Sequence, residues 1–218
     1  KVYTNDSLHI GYNDLYYAIE KISNGKHVKD FNISEVTPIM TMGSMNNMQH
    51  STPIGNIEKI EGVPVYHSWI SFLMSTNTGS NNTWNLSFNY QIRDSVGTIG
   101  NKPLYVKALS SGLSNLKSFK YNGNTYFLSL VNPNNFVTGV NTIKAYISKK
   151  SSVITTPYAL ASEQFIVAIT PTMPDMGNHT SPNNEALTLN TDSTYTGKIN
   201  LTMTGVWNIH LVVKTPDG

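Results

Sequence analysis

The sequence predicts an all-β chain built as two tandem β-sandwiches, on three observations. Apolar and polar residues alternate with a period of two, scarce residues recur at the same offsets in both halves, and the candidate strands are short and separated by Asn, Gly and Pro. Alternation marks strands with one face on a core and one in water. In the first half Ile70, Phe72 and Met74 alternate with Ser71 and Leu73, and Trp84, Leu86, Phe88 and Tyr90 with Asn85, Ser87 and Asn89. In the second, Ile199, Leu201 and Met203 alternate with Asn200 and Thr202, and Trp207, Ile209, Leu211 and Val213 with Asn208, His210 and Val212.

The recurrence reads as a duplication. His50-Ser51-Thr52-Pro53 matches His179-Thr180-Ser181-Pro182. Sixteen residues after each His stands a Tyr, Tyr66 and Tyr195; four further on come Ile70 and Ile199, and four beyond those Met74 and Met203. Trp84 and Trp207 follow, after six extra residues in the first copy. Upstream, Thr37-Pro38-Ile39-Met40-Thr41-Met42-Gly43 parallels the stretch from Thr170 to Gly177, and Gly11-Tyr12-Asn13-Asp14-Leu15 parallels Gly139-Val140-Asn141-Thr142-Ile143.

The remaining elements follow in order. Asn13–Ile22 alone admits a helix, but its counterpart Asn141–Ser148 carries Thr142, Ile143, Tyr146 and Ile147, which favours strand in both. Leu104–Leu109 reads as a strand closing the first sheet, and Asn122-Gly123 as the turn of a hairpin. Ser110–Asn115 is the most linker-like stretch and sets the expected domains at 1–112 and 113–218. No strand follows Lys214-Thr215-Pro216-Asp217-Gly218, so the second domain is expected to be truncated here and the native chain to continue. Many short strands of this kind predict sandwiches of immunoglobulin-like character.

The pattern Met-x(1–2)-Met-Gly, His-x-x-Pro, Tyr-x(3)-Ile-x(3)-Met and a following Trp resembles the YtkA-like/FixH-like domains of bacterial envelopes. The second copy is the closer match, with Met173-Pro174-Asp175-Met176-Gly177-Asn178-His179 and Met203-Thr204-Gly205-Val206-Trp207. The first lacks Pro after Met40, has a longer loop, and separates Met74 from Trp84 by an insertion. The resemblance implies an immunoglobulin-like sandwich, export from the cytoplasm, and a link to copper supply or handling.

Composition narrows the function classes. Hydrophobic residues make up 39% and charged residues 13%, so a core is affordable while the surface is made of Asn, Ser, Thr and Gly, as in secreted and cell-surface β-proteins. A net charge of +2 without a basic cluster beyond Lys149-Lys150 argues against nucleic acid. No apolar run approaches the roughly 18 residues of a membrane span, and a signal segment or lipid anchor upstream of Lys1 is compatible with the sequence. The absence of Cys excludes disulfides, thiolate metal sites and cysteine nucleophiles together. No H-E-x-x-H, G-x-S-x-G or phosphate-cradling glycine loop occurs, so nothing points to an enzyme.

Met and His remain as soft or borderline ligands. Met40, Met42, Met45 and Met48 are half of the chain's eight Met and precede His50 closely. Thioether sulfur carries no proton to lose and suits Cu(I) where thiols would oxidise. The same residues read equally as flexible filler at the end of a sandwich. Met173, Met176 and His179 form a sparser second set; Met74 and Met203, in phase with inward strand positions, read first as core and second as a sulfur beneath each loop. Trp84 and Trp207 read as inward anchors, and His9, His27, His67 and His210 as solvated or structural. Two functions stay open: an extracytoplasmic carrier or sensor of Cu(I), with a metal ion or an envelope protein as partner, and a structural or adhesive surface module with no cofactor.

Overall fold

The strands run from two to eleven residues, and Asn-Gly and other turn residues separate several of them, as at Asn122-Gly123. The computed structural model describes residues 1–109, 115–131 and 136–217. It is all-β: antiparallel strands account for the regular structure, with single turns of 3-10 helix at Gly43–Met45, Thr78–Ser80 and Pro174–Met176. The chain divides into two units, residues 1–116 with 149–159, and residues 117–148 with 160–218. The expected linker at Ser110–Asn115 lies, for 110–114, outside the described residues.

In the first unit the strands are β1 (Val2–Thr4), β2 (Gly11–Tyr17), β3 (Asn32–Met42), β4 (Met48–His50), β5 (Glu58–Lys59), β6 (Tyr66–Phe72), β7 (Asn82–Ile92) and β8 (Ser95–Leu104). They form two sheets, β1-β2-β6-β5 and β4-β3-β7-β8. Leu15, Tyr17, Ile70 and Phe72 from the first sheet and Met40, Trp84 and Leu86 from the second are fully buried in one core. Residues 149–159 also belong to this unit. Ser51 N donates to Ile154 O (2.6 Å) and Tyr158 N to Thr52 O (3.1 Å), so this segment lies along Ser51-Thr52-Pro53.

The strand expected at Leu104–Leu109 is displaced: β8 runs from Ser95 to Leu104. Arg93 adopts φ 53°, which lets the chain reverse within two residues of β7. Most of β8 is exposed, so it lacks the alternation by which a half-buried strand is recognised in sequence.

In the second unit the strands are β9 (Leu116–Tyr121), β10 (Asn124–Leu130), β11 (Gly139–Lys149), β12 (Ile166–Met173), β13 (His179–Thr180), β14 (Glu185–Leu189), β15 (Tyr195–Leu201) and β16 (Asn208–Lys214). Asn122 and Gly123 take φ 45° and 72°, the left-handed pair that a tight β9–β10 hairpin requires. The order is β13-β12-β14-β15-β11-β10-β9, with β16 on β12. Here the two layers join into one sheet, because β14, with five residues, reaches the start of β12 at Ile166↔Thr188 and Val167↔Leu187. Its first-unit counterpart β5 has two residues and, among the described residues, pairs only with β6.

Equivalent registers recur between the units. Gly11 faces Phe72 and Tyr17 faces Tyr66; Gly139 faces Leu201 and Ala145 faces Tyr195. Thr37-Pro38-Ile39 oppose Ser87-Leu86-Asn85, and Thr170-Pro171-Thr172 oppose His210-Ile209-Asn208. Side-chain bonds recur too. Asn13 accepts from His9 N and donates to His9 O and Gly11 O; Asn141 accepts from Val137 N and donates to Val137 O and Gly139 O. Gly11 (φ 91°) and Gly139 (φ 105°) hold the backbone angle that this clasp requires and a side chain would strain. Asn13→Ala leaves three main-chain groups without this partner and is expected to cost about 1–3 kcal/mol in urea unfolding, with a smaller loss for Asn141→Ala, whose site water reaches.

Candidate metal centre

The methionine loop is the tip of the β3–β4 hairpin. A 3-10 turn over Gly43–Met45 is followed by Asn46 and Asn47 at φ 56° and 57°. The β12–β13 tip repeats this with Pro174–Met176, then Gly177 at φ 62° and Asn178 at φ 60°. Asn tolerates this left-handed conformation, which explains its place in both tips. Met42 faces Met48 across one tip, and Met173 faces His179 across the other. By the turn, Met176 therefore corresponds to Met45, not to Met42 as the linear alignment suggests. Deeper in the strands Met40 faces both His50 and Trp84. The first-unit hairpin is thus two residues longer on each strand.

This register gathers the ligand candidates. Met40, Met42, Met48 and His50 lie on one side of the β3–β4 ladder, while Thr41 and Gln49 bond to each other on the opposite side at 3.1 Å. Directly opposed side chains have Cβ atoms about 4.5–5.5 Å apart, within reach of long thioethers. Burial grades along the row. Met40 (0% exposed) and Met42 (8%) belong to the core, whereas Met48 (48%) and Met45 (52%) reach water. Gly43 N donates to Asn81 O at 3.2 Å, so the first copy's insertion holds the tip from beside it. Asn82, opposite Met42, carries a buried Oδ1 without a hydrogen-bond partner among the described residues.

The decisive contact involves Met74, which lies two residues beyond β6. Trp84 Nε1 donates to Met74 O at 2.9 Å, fixing the backbone there. Met74 Sδ then stands 3.4 Å from His50 Nε2, and the His50 ring meets Trp84 edge-on at 5.5 Å. On the other side of the imidazole, Nδ1 is 2.8 Å from Ser51 O. A carbonyl only accepts, so Nδ1 is the donor in that bond, which leaves Nε2 directed at the thioether. Sulfur has no proton to give. Two soft or borderline donor atoms thus approach each other closely, an arrangement that a shared cation or the Nε2–H of an imidazolium would bridge. The 3.4 Å spacing is that of an ordinary N···S contact, and it is also compatible with two donors on one tetrahedral ion: for zinc, about 2.0 Å to nitrogen and about 2.3 Å to thiolate sulfur place the donors roughly 3.5 Å apart.

The second unit is similar but looser. Trp207 Nε1 donates to Met203 O at 3.1 Å, as Trp84 does to Met74. Met173 is buried, Met203 is half-buried, and Met176 and His179 are exposed. The His179 ring lies 6.5 Å from Trp207. Trp207, read as an inward anchor, is only half-buried.

No family model matches the chain, and no curated protein does. Among the described residues no three His, Asp or Glu side chains gather as a metal site. No helix there is long and apolar enough to cross a membrane.

The other histidines lie elsewhere. His210 Nε2 is 2.8 Å from Thr172 Oγ1, and His9 Nδ1 is 2.9 Å from Ile10 O. His67 Nε2 pairs with Asp14 Oδ1 at 2.7 Å, and Tyr12 OH donates to the same oxygen at 2.7 Å. Burial pushes the Asp14 carboxyl up, but the bonds from His67 and Tyr12 outweigh it and hold the group below its ordinary 3.8. A depressed carboxylate stabilises the fold above its unfolded pKa, and that contribution disappears as pH falls through the folded value. Urea midpoints measured from pH 5 down to pH 2 should therefore fall less steeply for Asp14→Asn than for the parent.

Proposed function

We propose that this chain is a non-enzymatic cell-envelope protein that binds Cu(I) through its Met/His loops, as a copper carrier or sensor. The approach of His50 Nε2 to Met74 Sδ at 3.4 Å, with Nδ1 directed at Ser51 O, carries this reading. His50 and Met74 would hold the ion, with Met48 at the mouth and Met42 behind it; bound Cu(I) would be cargo, exchanged by ligand substitution. The absence of Cys and the low charge suit an extracytoplasmic setting, where thioethers outlast thiols. On this reading the units are immunoglobulin-like domains of the YtkA-like/FixH-like kind, periplasmic or lipid-anchored, with a metal-exchanging envelope protein as partner. Anaerobic titration of the whole chain against a chromogenic Cu(I) chelator is the test. One tight site per chain supports the proposal, and complete retention of copper by the chelator refutes it.

Burial of Met40, Met42 and Met173 favours a second reading, in which the methionines are core filler and the units are structural or adhesive surface modules. In that case the chelator keeps the copper.

A further inference from the structure

The end of the first unit away from the methionine tip carries three turns. Strand β2 leaves at Tyr17, opposite Tyr66, where β6 enters. Tyr66 OH lies 2.9 Å from Phe31 O and 2.8 Å from Asn32 Oδ1, which ties the start of β3 to the same end. Asn32 faces Gln91, so the β7–β8 turn at Arg93-Asp94 closes there too.

The excursion between β2 and β3 is a hairpin of its own. Val28 N donates to Ile19 O (2.8 Å), Lys21 N to Lys26 O (2.9 Å) and Gly25 N to Lys21 O (2.8 Å), while Glu20 bridges antiparallel with His27. Lys26 N donates to Asn24 Oδ1 at 3.1 Å. Ile19 and Val28 pack against the core, whereas Ile22, at the tip, is wholly exposed (105%). Scattered exposed aliphatic residues are ordinary, but this one is held out by a bonded hairpin and flanked by cations. Val63 (45% exposed) lies in the 60–65 turn, which leads into β6 at the same end.

The charge here is one-sided. Lys21, Lys26 and Lys29 share with Arg93 a cleft of about 720 Å³ that holds only two carboxylates, Asp30 and Asp94. All four cations are exposed, and among the described residues none forms an ion pair. Glu20, below the tip, is taken by Lys1 at 2.6 Å and accepts from Tyr3 OH at 2.5 Å. No basic run marks this cluster in the sequence, because the fold assembles it from two turns far apart in the chain.

We propose that this end of the first unit docks on an anionic lipid surface, with Ile22 entering between the headgroups and Lys21, Lys26, Lys29 and Arg93 over their phosphates. Clustered cations draw a protein to anionic headgroups, and an apolar tip gains by reaching the acyl boundary just beneath them. A soluble polyanion uses the cations and leaves Ile22 in water; an anionic bilayer takes both. The hairpin is held by its own main-chain bonds, so little of it remains to be ordered on contact. With so few apolar side chains the attachment is weak and reversible. The proposal is independent of metal binding.

The probe is a pair of sucrose-loaded phosphatidylcholine vesicles, with and without about 30% phosphatidylglycerol, sedimented with the full chain. Saturable binding is expected with phosphatidylglycerol and at least about ten-fold weaker binding without it. Lys26→Glu combined with Lys29→Glu should weaken binding by a similar factor, as should about 0.5 M salt. Both lysines are exposed, so far-UV spectra should show a folded variant. The chain has no Cys, so Ile22→Cys takes a single nitrobenzoxadiazole label. That label should brighten and shift to the blue on binding, whereas the same label at Gln49→Cys, beside the methionine tip, should not. No binding at about 1 mM accessible lipid overturns the proposal, as does equal binding of neutral vesicles or of the double variant. A label at Ile22 that stays dim on bound chain also overturns it, and assigns the cluster to soluble polyanions.

Discussion

Trp84→Ala should lower the stability of the first unit by about 3–5 kcal/mol, and Trp207→Ala that of the second by only about 1–2 kcal/mol. Trp84 is fully buried, meets Phe72 edge-on at 5.1 Å, and donates to Met74 O. Its loss opens a cavity where strands β3, β6 and β7 converge and leaves a carbonyl without its donor. Trp207 makes the equivalent bond to Met203 but is half in water, so less apolar surface changes environment on unfolding. Urea unfolding of each variant, with the remaining tryptophans and far-UV signal as probes, checks the ratio. Equal losses would contradict the difference in burial between the two sites.

The second large effect concerns the metal. His50→Ala combined with Met74→Leu should weaken Cu(I) binding at least about 100-fold, because both facing donors are lost. Met74→Leu alone conserves volume and should leave the melting temperature nearly unchanged. Replacing Met42, Met45 and Met48 together by Leu separates the loop from the pair. The loop raises affinity if its exposed sulfurs complete the shell. The first unit should also bind more tightly than the second, where Met176 and His179 lie in solvent. Chelator competition on all these variants gives the order. An unchanged affinity in the double variant would end the copper reading, whatever the triple variant shows.

Where one face of a strand is buried, the sequence was easily read. The run from Trp84 alternates because its sheet demands it, and the Asn122-Gly123 turn is set by backbone sterics; in β6 Ser68, Trp69 and Ser71 are buried as well, so the alternation read from Ile70 there is one of residue type and not of burial. Strand β8 was not legible, because water bathes both its faces and leaves no period. Of the candidate site, the scarce residues at fixed offsets were visible, including Met74 and His50. Their meeting was offered only as the second reading of Met74. It depends on Trp84 Nε1 holding the Met74 carbonyl and on Ser51 O fixing the imidazole proton, and neither bond has a signature in spacing. Nor could linear alignment show that Met176 matches Met45, since the extra residues lie symmetrically on both arms of a hairpin.

That symmetry restricts how such a loop can change length. Successive side chains in a strand point to opposite faces, so each arm keeps its facing only when lengthened by an even number of residues. With the same seven-residue tip, the Met42–Met48 pair stands one full pleat beyond Met40 and His50, on the same face. Adding one residue to each arm would instead turn the outermost pair to the Thr41–Gln49 side and break the row of sulfurs. Hairpins of this type therefore grow in quanta of four residues. Each quantum adds one inward-facing pair, so the number of sulfurs rises stepwise while the turn chemistry stays the same.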